Sequence, residues 1–241
     1  RNKCEFSFGL DKEGRATLGF LLGGFREGTV AVENAKDCLH VPEAMKELAN
    51  KMQEFVRGCS DLPVFDRAKK AGFWRLMMVR EHLGKLMVVL QCQEGVVEGA
   101  RLEAVMHQVK DLMESFKFDN VSVGSFQLQL TTITFHGMDP KAANKLLLGD
   151  EKLVEQLDDL SFEISASSFF QVNKPGTLIL YKTIAEMVAL HGPDTFLLDL
   201  CCGTGTIGLM MSPYVSKVIG VELVPEAIED AKRNATINGI S

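Results

Sequence analysis

The sequence predicts an α/β protein in two parts: a central α/β domain over residues 1–165, then the first half of a doubly wound parallel-sheet domain over 166–241. Three observations predict it. Up to about Ser165, short runs that alternate apolar and polar residues are interspersed with apolar stripes at helical spacing. After about Lys174 the order becomes helix, strand, helix, strand, helix with short connections, which requires parallel strands. At the first strand-to-helix junction of that second part stand three glycines, Gly203, Gly205 and Gly208.

The elements follow in order. Cys4, Phe6 and Phe8 alternate with polar residues as in a half-buried strand, and strands at 17–22 and 29–32 follow glycine-rich turns, giving an opening β-meander. Pro42 starts a helix whose Met45, Leu48, Met52 and Phe55 form one apolar stripe. Leu102, Val105, Met106, Val109, Leu112, Met113 and Phe116 do the same in a second helix, and both stripes are read as core. Between them, 74–80 and 85–91 form a hairpin turned at Gly84, and 126–135 is a further strand. In the second part, Pro175 opens a helix to about His191, 195–200 is an apolar strand, 205–211 begins a helix, 217–222 is a second strand and 225–238 a second helix. That last helix has Pro225 and Glu226 at its positive end and Gly239 at its stop.

Composition narrows the function classes. With 241 residues, 46% hydrophobic and 24% charged, the chain is expected to bury a core. No uncharged apolar run approaches the roughly 20 residues that span a bilayer, and residues 1–8 lack a signal-peptide core. An intracellular setting, cytoplasmic or nuclear, with no membrane partner, is expected. Six cysteines include no Cys-x-x-Cys pair and no zinc-type spacing, so no metal is expected. A monomer is expected as well. A net charge of -6 argues against polyanion binding by the whole surface, so any nucleic-acid contact needs a confined basic patch.

The sharpest motif is Asp199-Leu-Cys-Cys-Gly203-Thr-Gly205-Thr206-Ile-Gly208, where a buried strand turns into a helix. Glycines bend the backbone and let a ligand approach it, and the helix start offers free amide donors. Glu222 ends the next strand, 19 residues after Gly203, where a carboxylate can accept from both hydroxyls of a ribose. The glycine spacing alone does not separate a dinucleotide cofactor from S-adenosylmethionine. Asp199, four residues before the first glycine and on the strand end, favours the methyl donor, because Asp-x-x-x-Gly-x-Gly followed by a strand-terminal acid looks like the first two motifs of class I, Rossmann-like methyltransferases.

Upstream lies Ser167-Ser-Phe169-Phe170-Gln171-Val172-Asn173. Together with the glycine motif, Gly220-Val-Glu222 and the opening Arg1-Asn-Lys-Cys-Glu-Phe, it makes the chain resemble the RNA (uracil-5-)-methyltransferase family, specifically the eukaryotic tRNA uracil-5-methyltransferase homologues, over essentially all 241 residues. The resemblance implies that residues 1–165 help cradle RNA, most naturally tRNA, and that the cofactor is S-adenosylmethionine. It also implies that Gln171 contacts the cofactor, that Cys201 to Thr206 wrap its methionine part, with Asp199, Gly203 and Gly205 in the same cradle, and that Glu222 holds the ribose. In the family a cysteine thiolate adds to C6 of uracil, C5 takes the methyl group, and a carboxylate base removes the C5 proton. The resemblance places those groups after Ser241. None of the catalytic residues is therefore expected here, and the 241 residues alone are expected to be inactive and to expose unpaired strand edge and apolar faces.

Cys201 and Cys202 sit at a helix start, which favours a thiolate, but in the family their position lines the cofactor pocket, and packing is the expected role. For RNA the local candidates are Arg1, Lys3, Arg67, Lys69, Lys70, Arg75 and Arg80, with Phe73 and Trp74 as stacking surfaces. Two rival readings stand beside this one: a class I methyltransferase with another acceptor, and a non-catalytic RNA-binding fragment.

Overall fold

The computed structural model describes residues 1–23, 30–189, 192 and 194–240. They form two compact units, Arg1–Glu151 and Lys152–Ser241. Thr29 and His191, the expected ends of a strand and a helix, lie outside the described residues.

The first unit is built on β1 (Lys3–Leu10), β2 (Ala16–Leu21), β3 (Val32–Asn34), α1 (Glu43–Gly58), β4 (Trp74–His82), β5 (Lys85–Gln93), α2 (Gly99–Ser115), β6 (Lys117–Phe118), β7 (Val121–Thr131) and β8 (Asn144–Gly149). Its sheet runs β3-β2-β1-β4-β5-β7-β6, with β8 also on β7. All neighbours are antiparallel except β5 and β7, which are parallel and joined through α2 as a crossover. The β4–β5 turn places Leu83 at φ 48° and Gly84 at φ 75°, two left-handed residues in succession that match the twist of the hairpin.

Strand alternation decides what each sheet face carries. On one face Cys4, Phe6, Phe8, Leu18, Trp74, Val79, Val88, Leu90, Phe126 and Leu128 meet Met45, Leu48 and Met52 of α1 and Val105, Val109 and Met113 of α2 in a single core. Both predicted helical stripes thus pack on the core, with Phe55, Leu102 and Leu112 only partly buried at their margins. On the other face β4, β5 and β7 carry Arg75, Gln91, Gln127, Gln129 and Thr131, all buried despite being polar. The strand expected at 126–135 stops at Thr131. There the Thr131 hydroxyl donates to Asp139 Oδ2 at 2.5 Å and accepts from the Ile133 amide at 3.2 Å, which turns the chain back over the sheet.

The second unit comprises β9 (Leu153–Leu157), β10 (Leu160–Ile164), α3 (Lys174–Ala189), β11 (Phe196–Leu200), α4 (Thr206–Met211), β12 (Lys217–Val221) and α5 (Pro225–Ile237). β11 and β12 pair in parallel, Asp199 opposite Gly220, as strands linked through a helix must. The division falls at Glu151 and Lys152 rather than at 165 and 166 because β9 and β10 form a hairpin fastened to α5 and the residue after it. Asn238 Oδ1 accepts from the Ser161 amide at 2.8 Å, and Asn234 Oδ1 accepts from the Glu163 amide at 2.8 Å. One face of the β11–β12 pair is apolar and open, with Phe196 71%, Leu198 57% and Leu200 66% exposed alongside Ile219 and Val221.

Candidate functional site

β11 delivers Asp199 to a tight turn that passes through Cys201 at φ 61°, Gly203 at φ 55° and Gly205 at φ 78° before α4 starts at Thr206. The left-handed region costs a non-glycine residue about 1–2 kcal/mol, so Cys201 is a strained position. The three motif glycines divide by role. A Cβ on Gly208 would lie 2.9 Å from Val218 Cγ1, and one on Gly205 would lie 3.1 Å from Ala231 Cβ, so these two let α4 approach β12 and the turn approach α5. A Cβ on Gly203 would meet nothing within 4 Å. Gly203 is the motif glycine that faces room for a ligand.

Glu222, directly after β12, reaches back to this turn. Its Oε2 accepts from the Gly203 amide at 2.9 Å, while Oε1 accepts from the Leu223 and Val224 amides at 2.7 and 3.0 Å. These donors, the Val224 amide first, hold its carboxyl below the usual glutamate range, so it is a fixed negative charge between the turn and the first turn of α5. A carboxylate has about four acceptor sites and three are occupied here, so gripping both hydroxyls of a ribose requires it to release at least one amide. The Asp199 carboxylate is engaged elsewhere, accepting from the Gly208 amide at 3.0 Å and bracing the start of α4. Burial raises its pKa, and the Gly208 bond opposes that shift.

Cys202 is half-buried, and a Cβ on Gly220 would come within 2.9 Å of its sulfur. Burial pushes its thiol pKa up, and the charges of Asp199 and Glu222 add to that. This is the reverse of an activated nucleophile and fits packing beneath the turn. Cys201 is exposed.

The segment before α3 is pinned rather than loose. Phe170 is buried, with its ring 5.9 Å from that of Phe162, whereas Phe169 is 76% exposed and Gln171 is half-buried. The Ser168 hydroxyl donates to Asp230 Oδ2 at 2.7 Å, and the Asn173 carbonyl accepts from the Thr177 amide at 2.8 Å to start α3. Sequence reasoning missed the residues that do the fastening. Asp230 and Asn234, both buried, and Asn238 follow one another at intervals of four on α5 and its end. Asp230 also pairs with Lys152 at 3.4 Å and with Arg233. Asn234 Nδ2 donates to the Thr204 carbonyl at 3.1 Å, so one side chain ties the glycine turn to β10. Short polar residues mid-helix at that spacing, where they disfavour helix, were the available signal. A cleft of about 1130 Å³ between α3, α4 and α5 includes Asp199, Cys202, Gly205 and Gly208 in its wall but not Gln171, Gly203, Thr206 or Glu222.

The basic candidates separate into two groups about 17 Å apart along β4. At one end, the Arg1 Nε donates to the Lys3 carbonyl at 3.0 Å, Lys3 pairs with Glu5 at 2.7 Å, and Lys3 lies opposite Arg80 in the register. Arg80 is 2% exposed, and burial lowers its pKa to about 10. Phe73 and Trp74 are fully buried in the core, where their rings lie 4.8 Å apart. Arg80, Phe73 and Trp74 are therefore corrected from surface contacts to interior residues. At the other end, Arg67, Lys69, Lys70 and Arg75 cluster at 65–75, Lys69 paired with Asp66 at 3.3 Å. Among the described residues, no helix is long and apolar enough to cross a membrane, and no three metal-ligating side chains converge.

Parallel strands joined through helices, with a glycine turn after the first and a carboxylate after the second, define a class I, Rossmann-like methyltransferase fold in the second unit, preceded by a mixed α/β unit. From end to end the chain is related to tRNA (uracil-5-)-methyltransferase homologues. It is 37% identical to homolog A of Mus musculus and 33% identical to homolog B of Homo sapiens, covering 100% of this chain in both cases and 39% and 48% of those proteins. The chain thus spans about a third to about a half of the length of the curated relatives it matches. Among solved structures, the Pyrococcus abyssi tRNA (uracil-54, C5)-methyltransferase in complex with S-adenosyl-L-homocysteine superposes with a TM-score of 0.71 at 22% identity, covering 100% of this chain and 53% of that one. No family model matches the chain.

Proposed function

We propose that this chain supplies the cofactor-binding turn and an RNA-contacting unit of an intracellular enzyme that methylates C5 of a uridine in RNA, tRNA being the substrate its relatives point to. The observation that carries the reading is the pairing of an open Gly203 with Glu222 at 2.9 Å from its amide, on the ends of two adjacent parallel strands. The residues fit S-adenosylmethionine. The left-handed turn leaves space against the main chain, Glu222 can take a ribose by releasing one of its three amides, and Gln171 offers both a donor and an acceptor for the amino acid end. When bound, that cofactor supplies an electrophilic methyl group.

Each residue then has a task. Gly203 and the amides around it seat the ligand, and Gly205 and Gly208 keep α4 and α5 close enough to hold the turn. Asp199 fixes the start of α4. Asp230 and Asn234 keep the segment containing Gln171 and the turn in register with each other. Addition of a cysteine to C6 and removal of the C5 proton belong, in this reading, to residues of the whole protein beyond these 241.

Incubating the whole protein with S-adenosylmethionine and unmodified tRNA, followed by nucleoside mass spectrometry, should yield 5-methyluridine. tRNA containing 5-fluorouridine should be trapped as a covalent adduct. Methylation of a different base, or of no RNA at all, overturns the proposal.

A further inference from the structure

The polar face of the first unit's sheet carries a built cavity. Gln129 Nε2 donates to the Asp139 and Ala142 carbonyls at 3.0 and 3.2 Å, Gln91 Nε2 donates to the Gly137 carbonyl at 3.2 Å, and Arg75 donates to the Phe135 carbonyl at 3.1 Å. These bonds pin residues 132–143 over the strands. Between that segment and residues 65–70 lies a cavity of about 360 Å³, whose walls include Phe65, Arg67, Lys70, Arg75, Gln91 and His136.

Its charge is one-sided. Arg75 is 5% exposed, its guanidinium sits 4.0 Å over the Phe65 ring, and it donates to Gln93 Oε1 at 2.7 Å. Arg67 donates to the Phe8 carbonyl at 3.2 Å. These acceptors are all neutral amide or carbonyl oxygens, and among the described residues neither guanidinium has a carboxylate within ion-pair distance. Asp139, whose charge favours Arg75, is already taken up by the Thr131 hydroxyl at 2.5 Å and the Lys141 amide at 2.9 Å. Burial lowers the pKa of Arg67; burial and then the Arg67 charge lower that of Arg75; and His136 at the rim is pushed down by burial, then by Arg67. Two neighbouring cations desolvated against neutral oxygens are costly unless an anion joins them.

We propose that this cavity binds a phosphate group of a polynucleotide backbone, Arg67 and Arg75 each presenting guanidinium N–H donors to its oxygens. Guanidiniums suit this because their planar donor fork matches phosphate geometry. The volume is at the lower end for small-ligand sites and admits a phosphate with its sugar. Phe135, 58% exposed at the rim, gives the adjoining nucleoside an apolar surface. The site rests on the RNA reading above and gives that reading a fixed point of contact remote in sequence from the glycine turn.

The test is anisotropy of labelled tRNA with the whole protein between 50 and 200 mM salt, for wild type, Arg67→Gln, Arg67→Lys and Arg75→Gln. Loss of one phosphate contact reduces the slope of log affinity against log salt by about 0.7–0.9. Arg67→Gln should show that reduction with several-fold weaker binding and unchanged affinity for S-adenosylhomocysteine, while Arg67→Lys retains the slope. Arg75→Gln should behave like Arg67→Gln, with its Tm checked because its side chain packs on Phe65. Slopes equal to wild type in both glutamine variants overturn the proposal. So does stabilisation of wild type, but not Arg67→Gln, by pyrophosphate or a mononucleotide with the tRNA slope unchanged, which would make this a free-phosphate site. If the slope change appears but no 5-methyluridine forms, the pocket stands and the uridine reading falls.

Discussion

Replacing Gly203 by alanine separates a ligand-facing glycine from a packing glycine. At φ 55° the left-handed backbone costs alanine about 1–2 kcal/mol. The stiffer unfolded chain returns about 0.4–1 kcal/mol of that. Since the new Cβ meets nothing within 4 Å, no clash adds to it. The net loss is about 1 kcal/mol, a fall in Tm of about 2–4 °C for a chain of this size. The same methyl group fills the space that a ligand on the turn needs, so affinity for S-adenosylhomocysteine should fall at least about tenfold, or 1.4 kcal/mol. Gly205→Ala is the comparison. It carries the same strain at φ 78° plus a 3.1 Å approach to Ala231, so overpacking of about 1–3 kcal/mol should lower Tm further, while binding by the folded fraction changes less. Scanning fluorimetry and calorimetric titration of the two variants measure both quantities. Affinity within twofold of wild type for Gly203→Ala, or a larger affinity loss in folded Gly205→Ala, refutes the division of roles.

Four further outcomes are expected. Asn234→Ala leaves the Glu163 amide and the Thr204 carbonyl without their partner, at about 1–3 kcal/mol each, so denaturant melts should show a loss of about 2–6 kcal/mol; a change below 1 kcal/mol contradicts the bridge. Burial raises the Asp199 pKa, so its protonated form favours the folded state and that contribution disappears as pH rises from the unfolded value of about 3.8 through the folded one. Asp199→Asn keeps an acceptor for Gly208 without the charge, and its Tm at pH 7 should equal or exceed wild type. Maleimide on the native protein should label exposed Cys201 and spare buried Cys92, with S-adenosylhomocysteine slowing the first reaction; unprotected labelling argues against a ligand on the turn. The 241-residue chain should bind an apolar dye through Phe196, Leu198 and Leu200 and self-associate on a sizing column, whereas a monodisperse, dye-free chain contradicts the exposed sheet face.

The sequence disclosed the two core stripes because Met45, Leu48 and Met52, and Val105, Val109 and Met113, keep helical spacing without interruption. It disclosed the glycine turn because glycine adopts the left-handed dihedrals of positions 203 and 205 at least cost, while Cys201 in the same turn bears them as strain. The hairpin of β9 and β10 escaped notice for a physical reason. The inward face of β9 is Leu153, Glu155 and Leu157, and a buried glutamate paired with Lys174 at 2.8 Å breaks the apolar alternation that marks a strand. Arg75 looked like surface charge for the complementary reason, since nothing local reveals that its polar sheet face will be covered by residues 132–143. Trp74 was not legible from alternation, which would put it on the face opposite to Val79; the register shift between Trp74 and Leu76 turns it into the core and Arg75 to the other face. The brace formed by Asp230 and Asn234 depends on partners more than 60 positions away, Ser168 and Glu163, and no local pattern encodes them.

A crystal structure of the whole protein with S-adenosylhomocysteine bears most directly on the central assignment. The ligand should lie against Gly203, with Glu222 exchanging at least one of its three amide bonds for a ribose hydroxyl. A ligand bound away from the turn, with Glu222 still holding the Gly203, Leu223 and Val224 amides, would contradict it.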